Sequence, residues 1–320
     1  MRRRTEILTS SYPAGVRALL PGDVRRRRRV ESAIVAELEA RSFEEIVVPI
    51  IDFVDPYGGS ADRESQRRSY RFVDRDGELI AVRSDFTPMV ARALAPSLGR
   101  TPLPLRVFYR GDVVRCEATK LGAQRELFQI GAELIGDDSP AADLAMLTLA
   151  LQLVANAGVA PTAVITDSSI ARQLIESSTE SPATRIALRS ALAQKRIASL
   201  AELEDELAPE RFELLRRVTA GRATLDDFIA LPATRDAATQ LRVLQQRAFE
   251  ATGANIVLAL DDIDEEPGYY TGIRFQLFEP RTRLRLAQGG RYDDLCARFG
   301  APAAAIGFTL TVDYLDGAAR

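Results

Sequence analysis

The side chains that could do chemistry in this 320-residue chain are carboxylates, arginines and tyrosines, because histidine is absent. A chain without histidine lacks the commonest general base and the commonest metal ligand, which excludes Ser-His-Asp, Cys-His and histidine–metal mechanisms. The two cysteines, Cys116 and Cys296, are far apart and have no metal-ligand spacing. We therefore expect no metal, no cofactor, no disulfide framework and a reducing, cytoplasmic location.

The composition predicts a folded protein and argues against a nucleic-acid partner. Apolar residues make up 46% and charged residues 27% of the chain, which are ordinary values for a protein with a packed core. The net charge is −3, whereas proteins that grip a phosphate backbone usually carry a basic face. Arginine runs at 2–4 and 25–29 contain no aromatic residues, so a solvated helix face or a flexible end explains them better.

Hydrophobic periodicity and turn residues predict an α+β domain with a mostly antiparallel sheet flanked by helices. Pro49, inside a β-branched run, requires an edge or interface position in its strand. Asp76-Gly77 predicts a hairpin turn, and Ser139 followed by Pro140 predicts a capped helix start. Strands are predicted over residues 45–53, 70–73, 79–82, 105–109, 113–116, 127–134, 163–166, 255–260, 269–278, 284–287 and 306–310, and helices over 88–94 and 140–158.

Residues 167–254 differ in composition from the rest of the chain. They are rich in Ala, Leu, Arg and Glu and poor in strand formers. We predict a core domain formed by residues 1–166 and 255–320, interrupted by a mainly helical insertion at 167–254. Asp167 can cap the first helix of the insertion. The most apolar predicted helix, 144–155, is too short to cross a bilayer, and the first residues lack the apolar core of a secretory signal, so we expect no membrane partner.

Four motif segments occur in a characteristic order. They are the helix and strand that end in Pro49, residues 82–87 (VRSDFT), residues 114–117 (VRCE) with 129–133 (QIGAE), and residues 268–272 (GYYTG) with 289–293 (GGRYD) and 306–308 (IGF). Each motif alone is weak, but four in order with compatible spacing are specific. Over nearly its whole length the chain resembles the catalytic core of the class II aminoacyl-tRNA synthetases of the histidyl type. Within that group it is most similar to the regulatory subunits of short-form ATP phosphoribosyltransferases, which are paralogues used in histidine biosynthesis.

The resemblance implies a pocket for a free amino acid, and the residue types fit the needs of such a ligand. Asp85 and Glu133 would supply negative charge for the ammonium group, and Thr87 a hydroxyl acceptor. Gln129 would donate to the ligand carboxylate, and two tyrosines would offer aromatic walls with polar tips for an imidazole ring. The matching positions of the synthetases face bound histidine. The predicted pocket consists of Asp85, Thr87, Arg115, Gln129, Glu133, Tyr269 and Tyr270.

Each of these residues has a simpler explanation when it is considered alone. Asp85 could cap the helix that begins near Pro88, and Glu133 could pair with an arginine inside the sheet. Tyr269 and Tyr270 are adjacent on a predicted strand, so they would point to opposite faces and at most one would line the pocket directly. The shared motif order favours the pocket.

Adenylate chemistry needs fixed cations where phosphate charge develops, and the resemblance implies that two of the three family arginines are absent. Arg115 matches the first arginine, with Glu117 beside it. Tyr314 takes the position of the arginine in the last motif, and Glu265, by spacing, that of the arginine before the tyrosine pair. Losing two charge-assisted hydrogen bonds of roughly 1.5–3 kcal/mol each removes several powers of ten in binding or rate. We therefore expect no catalysis.

The resemblance implies a non-catalytic regulatory subunit that a separate catalytic ATP phosphoribosyltransferase needs for activity and that senses histidine as feedback inhibitor. The chain ends at Arg320, soon after the last motif, so we expect no anticodon-binding domain and no tRNA partner. The region around Pro49 resembles the family's dimer-forming motif, which predicts a homodimer inside a hetero-oligomer. Two alternatives stay open: a truncated synthetase-like ligase that activates histidine or another amino acid with ATP, and a scaffold that binds no ligand.

Overall fold

The computed structural model describes residues 12–57, 69–116, 124–264 and 269–318. Within these residues the strands are β1 (Glu44–Glu45), β2 (Ile51–Phe53), β3 (Arg71–Val73), β4 (Leu79–Val82), β5 (Leu105–Val114), β6 (Glu126–Ile135), β7 (Thr162–Asp167), β8 (Asn255–Leu258), β9 (Ile273–Phe278), β10 (Arg285–Arg291) and β11 (Ala305–Thr311). The α-helices are α1 (Pro21–Ala40), α2 (Thr87–Leu98), α3 (Pro140–Asn156), α4 (Ser168–Glu176), α5 (Pro182–Ala193), α6 (Ile197–Ala201), α7 (Pro209–Thr219), α8 (Leu225–Ala230), α9 (Arg235–Thr252) and α10 (Val312–Ala318).

The central sheet has eight strands in the order β1-β5-β6-β11-β10-β9-β7-β8. Its neighbours are antiparallel except at the two ends, where β1 pairs with β5 and β8 pairs with β7 in parallel. A smaller antiparallel sheet, in the order β2-β4-β3, lies in the first half of the chain and contains the hairpin predicted at Asp76-Gly77. The predicted α+β class with a mostly antiparallel sheet is confirmed.

Two predicted strand boundaries were wrong for identifiable reasons. The predicted strand at 45–53 is divided at Pro49 into β1 and β2, which belong to different sheets. The predicted strands at 105–109 and 113–116 are one strand, β5, whose pairing with β6 continues through Gly111. Gly111 has a φ of 151°, a value that a residue with a side chain rarely adopts, so the strand distorts there without ending.

The two faces of the central sheet differ in chemistry because successive side chains of a strand point to opposite sides. On β6, Ile130, Ala132 and Leu134 point into the hydrophobic core, which also contains α3. Gln129 and Glu133 point to the other, polar face. Helix α3 is apolar on almost all sides because it packs between the sheet and α9.

Helices α4 to α9 connect β7 to β8. The predicted caps are confirmed, since Asp167 Oδ1 accepts a hydrogen bond from the Ser169 amide at 2.8 Å and Ser139 Oγ accepts one from the Ala142 amide at 3.2 Å. The division of the chain into a core and an inserted unit stays a prediction. Over the described ranges, none of the helices combines the length and the apolarity that a membrane crossing would need.

The Arg83 side chain joins the two sheets. Its guanidinium Nη1 donates to the carbonyl oxygens of Val48 and Pro49 at 2.9 and 3.3 Å, in the connection between β1 and β2. Nη2 and Nε both donate to the Asp112 carbonyl of β5, at 2.8 and 3.1 Å. The guanidinium also lies 3.9 Å above the centre of the Phe86 ring. Arg83 is only 9% exposed, and among its acceptors Val48 is buried whereas Pro49 and Asp112 are exposed.

We expect Arg83→Met to lower the free energy of unfolding by about 1–3 kcal/mol, because it removes the donor to the buried Val48 carbonyl and the link between the two sheets. Urea unfolding followed by circular dichroism measures this change. Arg75→Met, at an exposed position of the β3–β4 turn, is the matched control and should change stability by about 0.5 kcal/mol or less. Equal stability of the two variants would contradict the structural role of Arg83.

Candidate functional site

A narrow cavity of about 10 Å³ lies on the polar face of the central sheet. It brings together four of the seven residues predicted from the sequence. Strands β10 and β11 form its floor, and the segment entering α2 forms one side. The residues that line it are Asp85, Thr87, Tyr269, Tyr270, Gln288, Gly289, Tyr292, Gly307, Phe308 and Thr309.

Glu133 lies beneath the cavity and occupies space that glycine leaves free. It is opposite Gly307 in the pairing of β6 with β11. A Cβ atom on Gly307 would be 1.4 Å from Glu133 Oε2, so no other residue fits at position 307 while the carboxyl group stays there. Gly290 has the same role beside Tyr270, whose ring would be 2.8 Å from an added Cβ. The glycines of these two motifs therefore make room for side chains over the sheet.

Hydroxyl groups hold the buried carboxyl group of Glu133. Thr87 Oγ1 donates to Oε1 at 2.9 Å and the Tyr292 hydroxyl donates to Oε2 at 2.5 Å. Burial raises the pKa of Glu133 to about 8; the two hydroxyl donors lower it and the charge of Asp85 raises it further. Burial therefore favours the protonated form of this group near neutral pH, and an approaching cation would favour the ionised form.

The two explanations considered for Asp85, a helix cap and a pocket residue, are compatible. Its Oδ1 accepts a hydrogen bond from the Thr87 amide at 3.2 Å, at the start of α2, and its side chain also lines the cavity. The carboxylate is fixed by the helix start and faces the ligand space. The alternative pairing of Glu133 with an arginine is wrong, because Thr87 and Tyr292 are its hydrogen-bond partners in the described part of the chain.

Tyr269 and Tyr270 both line the cavity, so the prediction that at most one does was wrong. Strand β9 begins at Ile273, after both tyrosines, and the alternation of a strand does not apply to them. Their ring centres are 4.6 Å apart, and the Tyr269 ring meets that of Tyr292 edge-on at 6.0 Å. Burial raises the pKa of Tyr270 to about 12, and that of Tyr269 well above the ordinary range, so both hydroxyls stay neutral.

Two predicted residues do not reach the cavity wall. Gln129 is buried on the same face of β6 as Glu133, but it lies opposite Gly111 and Thr311, farther along the strand. Arg115 follows β5, and its Nε donates to the Ser84 carbonyl at 3.0 Å, next to Asp85. Glu117 and Glu265, on which the predicted loss of adenylate chemistry partly depends, lie outside the described residues.

The sequence reasoning missed three polar residues of the wall. Gln288, Gly290 and Tyr292 are two residues apart along β10 and the residue after it, so they lie on the same face of the sheet. This two-residue period was visible in the sequence. Thr309 is opposite Gln288 on β11, and its hydroxyl is 2.7 Å from that of Tyr109. Tyr109 is fully buried and stacks on Phe86 at 4.3 Å, so it supports the floor from β5.

The charge around the cavity is acidic. None of the described lining residues is an arginine or a lysine. Arg291 is held by Asp143 and Asp293 at 2.6 and 3.0 Å, and Arg274 is held by acids at 2.5 and 2.6 Å. Among the residues that the structure describes, no group of three or more candidate metal ligands occurs. This arrangement suits a ligand with an ammonium group and does not suit a polyphosphate.

Replacing Glu133 with glutamine should stabilise the ligand-free protein, and the gain should grow as the pH rises. The folded chain keeps this proton up to a pKa of about 8, whereas the unfolded chain loses it near the ordinary value of 4.5. The folded state therefore binds more protons between these values, so the group lowers wild-type stability as the pH rises through this range. We expect Glu133→Gln to exceed the wild type by a few kcal/mol at pH 8 and by little at pH 5, in urea unfolding.

The control for the Glu133→Gln variant is Glu39→Gln, at an exposed position of α1. It should change stability by about 0.5 kcal/mol or less at both pH values. If the Glu133→Gln variant differed from the wild type equally at both pH values, the buried carboxyl group would not be the one that retains a proton.

The comparisons with known proteins agree with the fold and with the motif order. The histidyl-tRNA synthetase family model matches residues 15–315. ATP phosphoribosyltransferase regulatory subunits from Moorella thermoacetica and Geobacter sulfurreducens are each 33% identical; the alignments cover 96% and 95% of this chain, and 82% and 72% of those proteins.

The solved structures extend the agreement to three dimensions. A Bacillus halodurans protein described as an ATP phosphoribosyltransferase regulatory subunit/histidyl-tRNA synthetase superposes with a TM-score of 0.83 at 24% identity, covering 97% of this chain and 83% of that one. A histidine–tRNA ligase subunit from Alicyclobacillus acidocaldarius gives 0.73 at 27% identity and covers 97% of both chains. The predicted class II synthetase-like fold is confirmed, and the chain belongs to the histidyl-tRNA-synthetase-like family of ATP phosphoribosyltransferase regulatory subunits.

Proposed function

We propose that this chain is the regulatory subunit of an ATP phosphoribosyltransferase and that its cavity senses histidine. The observation that carries the sensing function is the cavity itself, which presents carboxyl and hydroxyl groups without a cation among its described lining residues. The relatives named as regulatory subunits support the same function. The partner would be a short-form catalytic subunit, which joins ATP to phosphoribosyl pyrophosphate in the first step of histidine synthesis.

The chemistry of the cavity wall matches the separate needs of a histidine molecule, which would enter once the cavity widens from about 10 Å³. Asp85 faces the space where an ammonium group would be placed, and Glu133 can ionise when that cation approaches. The hydroxyls of Tyr292 and Thr87 and the tyrosine rings offer partners for a polar aromatic ring. The described wall offers the ligand carboxylate neutral donors, such as the Gln288 amide, but no cation. Gln129 and Arg115 stay proposals for that group, which they would reach only after a rearrangement.

The charge pattern also argues against ATP activation as the function of the cavity. Tyr314, proposed to replace the arginine of the last motif, lies in α10 and packs against two hydrophobic clusters. A tyrosine in this place supplies no positive charge to phosphate. The run 25–29 gives little support to tRNA binding, because Arg26, Arg27 and Arg28 are paired with acids.

We further propose a homodimer through the small sheet and the chain that precedes it. Seven large apolar side chains there are between 42% and 87% exposed, far more than scattered surface residues would explain. One of them precedes Pro49, which was predicted to lie at an interface, and the other six follow it. These residues are Val47, Ile50, Ile51, Phe53, Phe72, Val73 and Leu79.

The functional proposal is tested by mixing the chain with the catalytic subunit from the same genome. We expect the mixture to form phosphoribosyl-ATP much faster than the catalytic subunit alone, and histidine to inhibit the mixture. The chain alone should catalyse no histidine-dependent exchange of pyrophosphate into ATP. Absence of activation would overturn the proposal, and measurable exchange would favour a synthetase-like ligase.

Asp85→Asn should raise the histidine concentration needed for inhibition at least tenfold, because it removes one charge that faces the ammonium group while keeping the hydrogen bond to Thr87. Activation of the catalytic subunit should be unchanged. The matched control, Asp138→Asn, removes a charge at an exposed position and should leave inhibition as in the wild type. Unaltered inhibition in Asp85→Asn would mean that histidine is sensed elsewhere.

Val47→Asp should convert the dimer into a monomer, because it places a charge in the proposed apolar interface, where the side chain is 87% exposed in one chain. Light scattering after size-exclusion chromatography measures the mass. Ile186→Asp, at a position in α5 that is 72% exposed, is the control and should keep the wild-type mass. A monomeric wild type would refute the dimer.

A further inference from the structure

Helices α1 and α3 lie on the apolar side of the central sheet but leave a groove between them. Two cavities, of about 280 and 300 Å³, occupy this gap. Both cavities open to solvent, so they form depressions in the surface rather than voids in the core. We call the two cavities together the α1–α3 groove. Its lining residues are Arg29, Val30, Ala33, Ile34, Arg41, Phe43, Arg106, Leu134, Ala145, Met146, Leu149, Leu153, Asn156 and Ala157.

The groove combines an apolar floor with a basic rim. Ile34, Leu134 and Leu153 lie at its bottom and are themselves buried, whereas Ala33 and Ala145 are exposed at its mouth. Every charged residue in the described lining is an arginine. The groove follows α3 from Ala145 to Ala157, a length of about 18 Å at about 1.5 Å per residue.

The rim arginines differ in how firmly they are held. Arg41 donates to Glu37 at 2.8 Å and to Gln152 of α3 at 3.0 Å, and the second bond bridges the groove between the two cavities. Arg29 and Arg106, at opposite ends of the groove, are exposed to solvent. Their positive charge is therefore available to a partner.

We propose that the α1–α3 groove is the docking site for the catalytic subunit, which would lay a short amphipathic helix across the Arg41–Gln152 bond, with apolar side chains entering the two cavities and carboxylates along its edges. This inference rests on the proposed function and assigns the surface that the proposed function leaves open. The length of the groove corresponds to about three helical turns, the size of segment used in helix-in-groove recognition. Charge complementarity with the arginine rim selects an acidic partner segment.

The position of the groove also gives the proposed histidine signal a short route. Glu133 lies beneath the cavity, where it binds the lining residue Tyr292, and the next residue of β6, Leu134, lines the groove. Tyr292 faces the cavity, and the preceding Arg291 binds Asp143 at the start of α3. A shift of either cavity residue would therefore move a neighbour that belongs to the groove or holds the helix beside it.

The test measures the affinity of the full chain for the short-form catalytic subunit from the same genome, together with the activation of that subunit. Ala145→Trp fills the mouth of one cavity, and Arg106→Glu reverses a charge on the rim. Ala183→Trp on α5 and Arg298→Glu are matched controls at exposed positions outside the groove. We expect at least tenfold weaker binding for each groove variant and changes below about twofold for the controls, with unchanged melting temperatures and unchanged histidine binding.

Two results would overturn the assignment, and they differ in what else they overturn. If the wild type binds and activates the catalytic subunit while both groove variants bind equally well, the groove is wrong and the proposed function stands. If the wild type neither binds nor activates it, the proposed function fails and the assignment fails with it. Arg106→Glu, an exposed substitution, decides the question even if Ala145→Trp unfolds.

Discussion

The burial of one carboxyl group within the central sheet is the constraint on which the rest of the site depends. Glu133 has no exposed surface, and its charged form is therefore destabilised by desolvation. Two hydroxyl donors hold it, and they come from elements that are distant in sequence, Thr87 at the start of α2 and Tyr292 at the end of β10. The same carboxyl group requires glycine at position 307, because any side chain there would overlap its oxygen. Three motifs of the chain thus meet at a single side chain.

The sequence predicted the parts of the fold that local chemistry determines. The capped starts of α3 and α4 and the β3–β4 hairpin were read correctly, because Ser139, Asp167 and Asp76-Gly77 act within a few residues. The strands that differed depend on distant partners. Strand β5 continues through Gly111 because its pairing with β6 continues there, and the guanidinium of Arg83 lies close to Gly111.

The site shows the same division between local and distant causes. Motif order placed Asp85, Thr87 and both tyrosines at the cavity, but it did not separate them from Gln129 and Arg115, which lie farther along the strands. The protonation of Glu133 also follows from burial, which a sequence does not display. The tyrosine pair was misjudged because a strand was assumed to begin before Ile273.

The proton on Glu133 has a thermodynamic consequence for any cation that enters the cavity. Burial sets the pKa of this group at about 8, so at neutral pH an arriving ammonium group takes the place of a hydrogen ion. Occupancy is then an exchange reaction, and part of the binding free energy is spent on releasing that hydrogen ion to the buffer. The ligand's apparent affinity would therefore track alkalinity, weakening as the medium around the protein becomes more acidic.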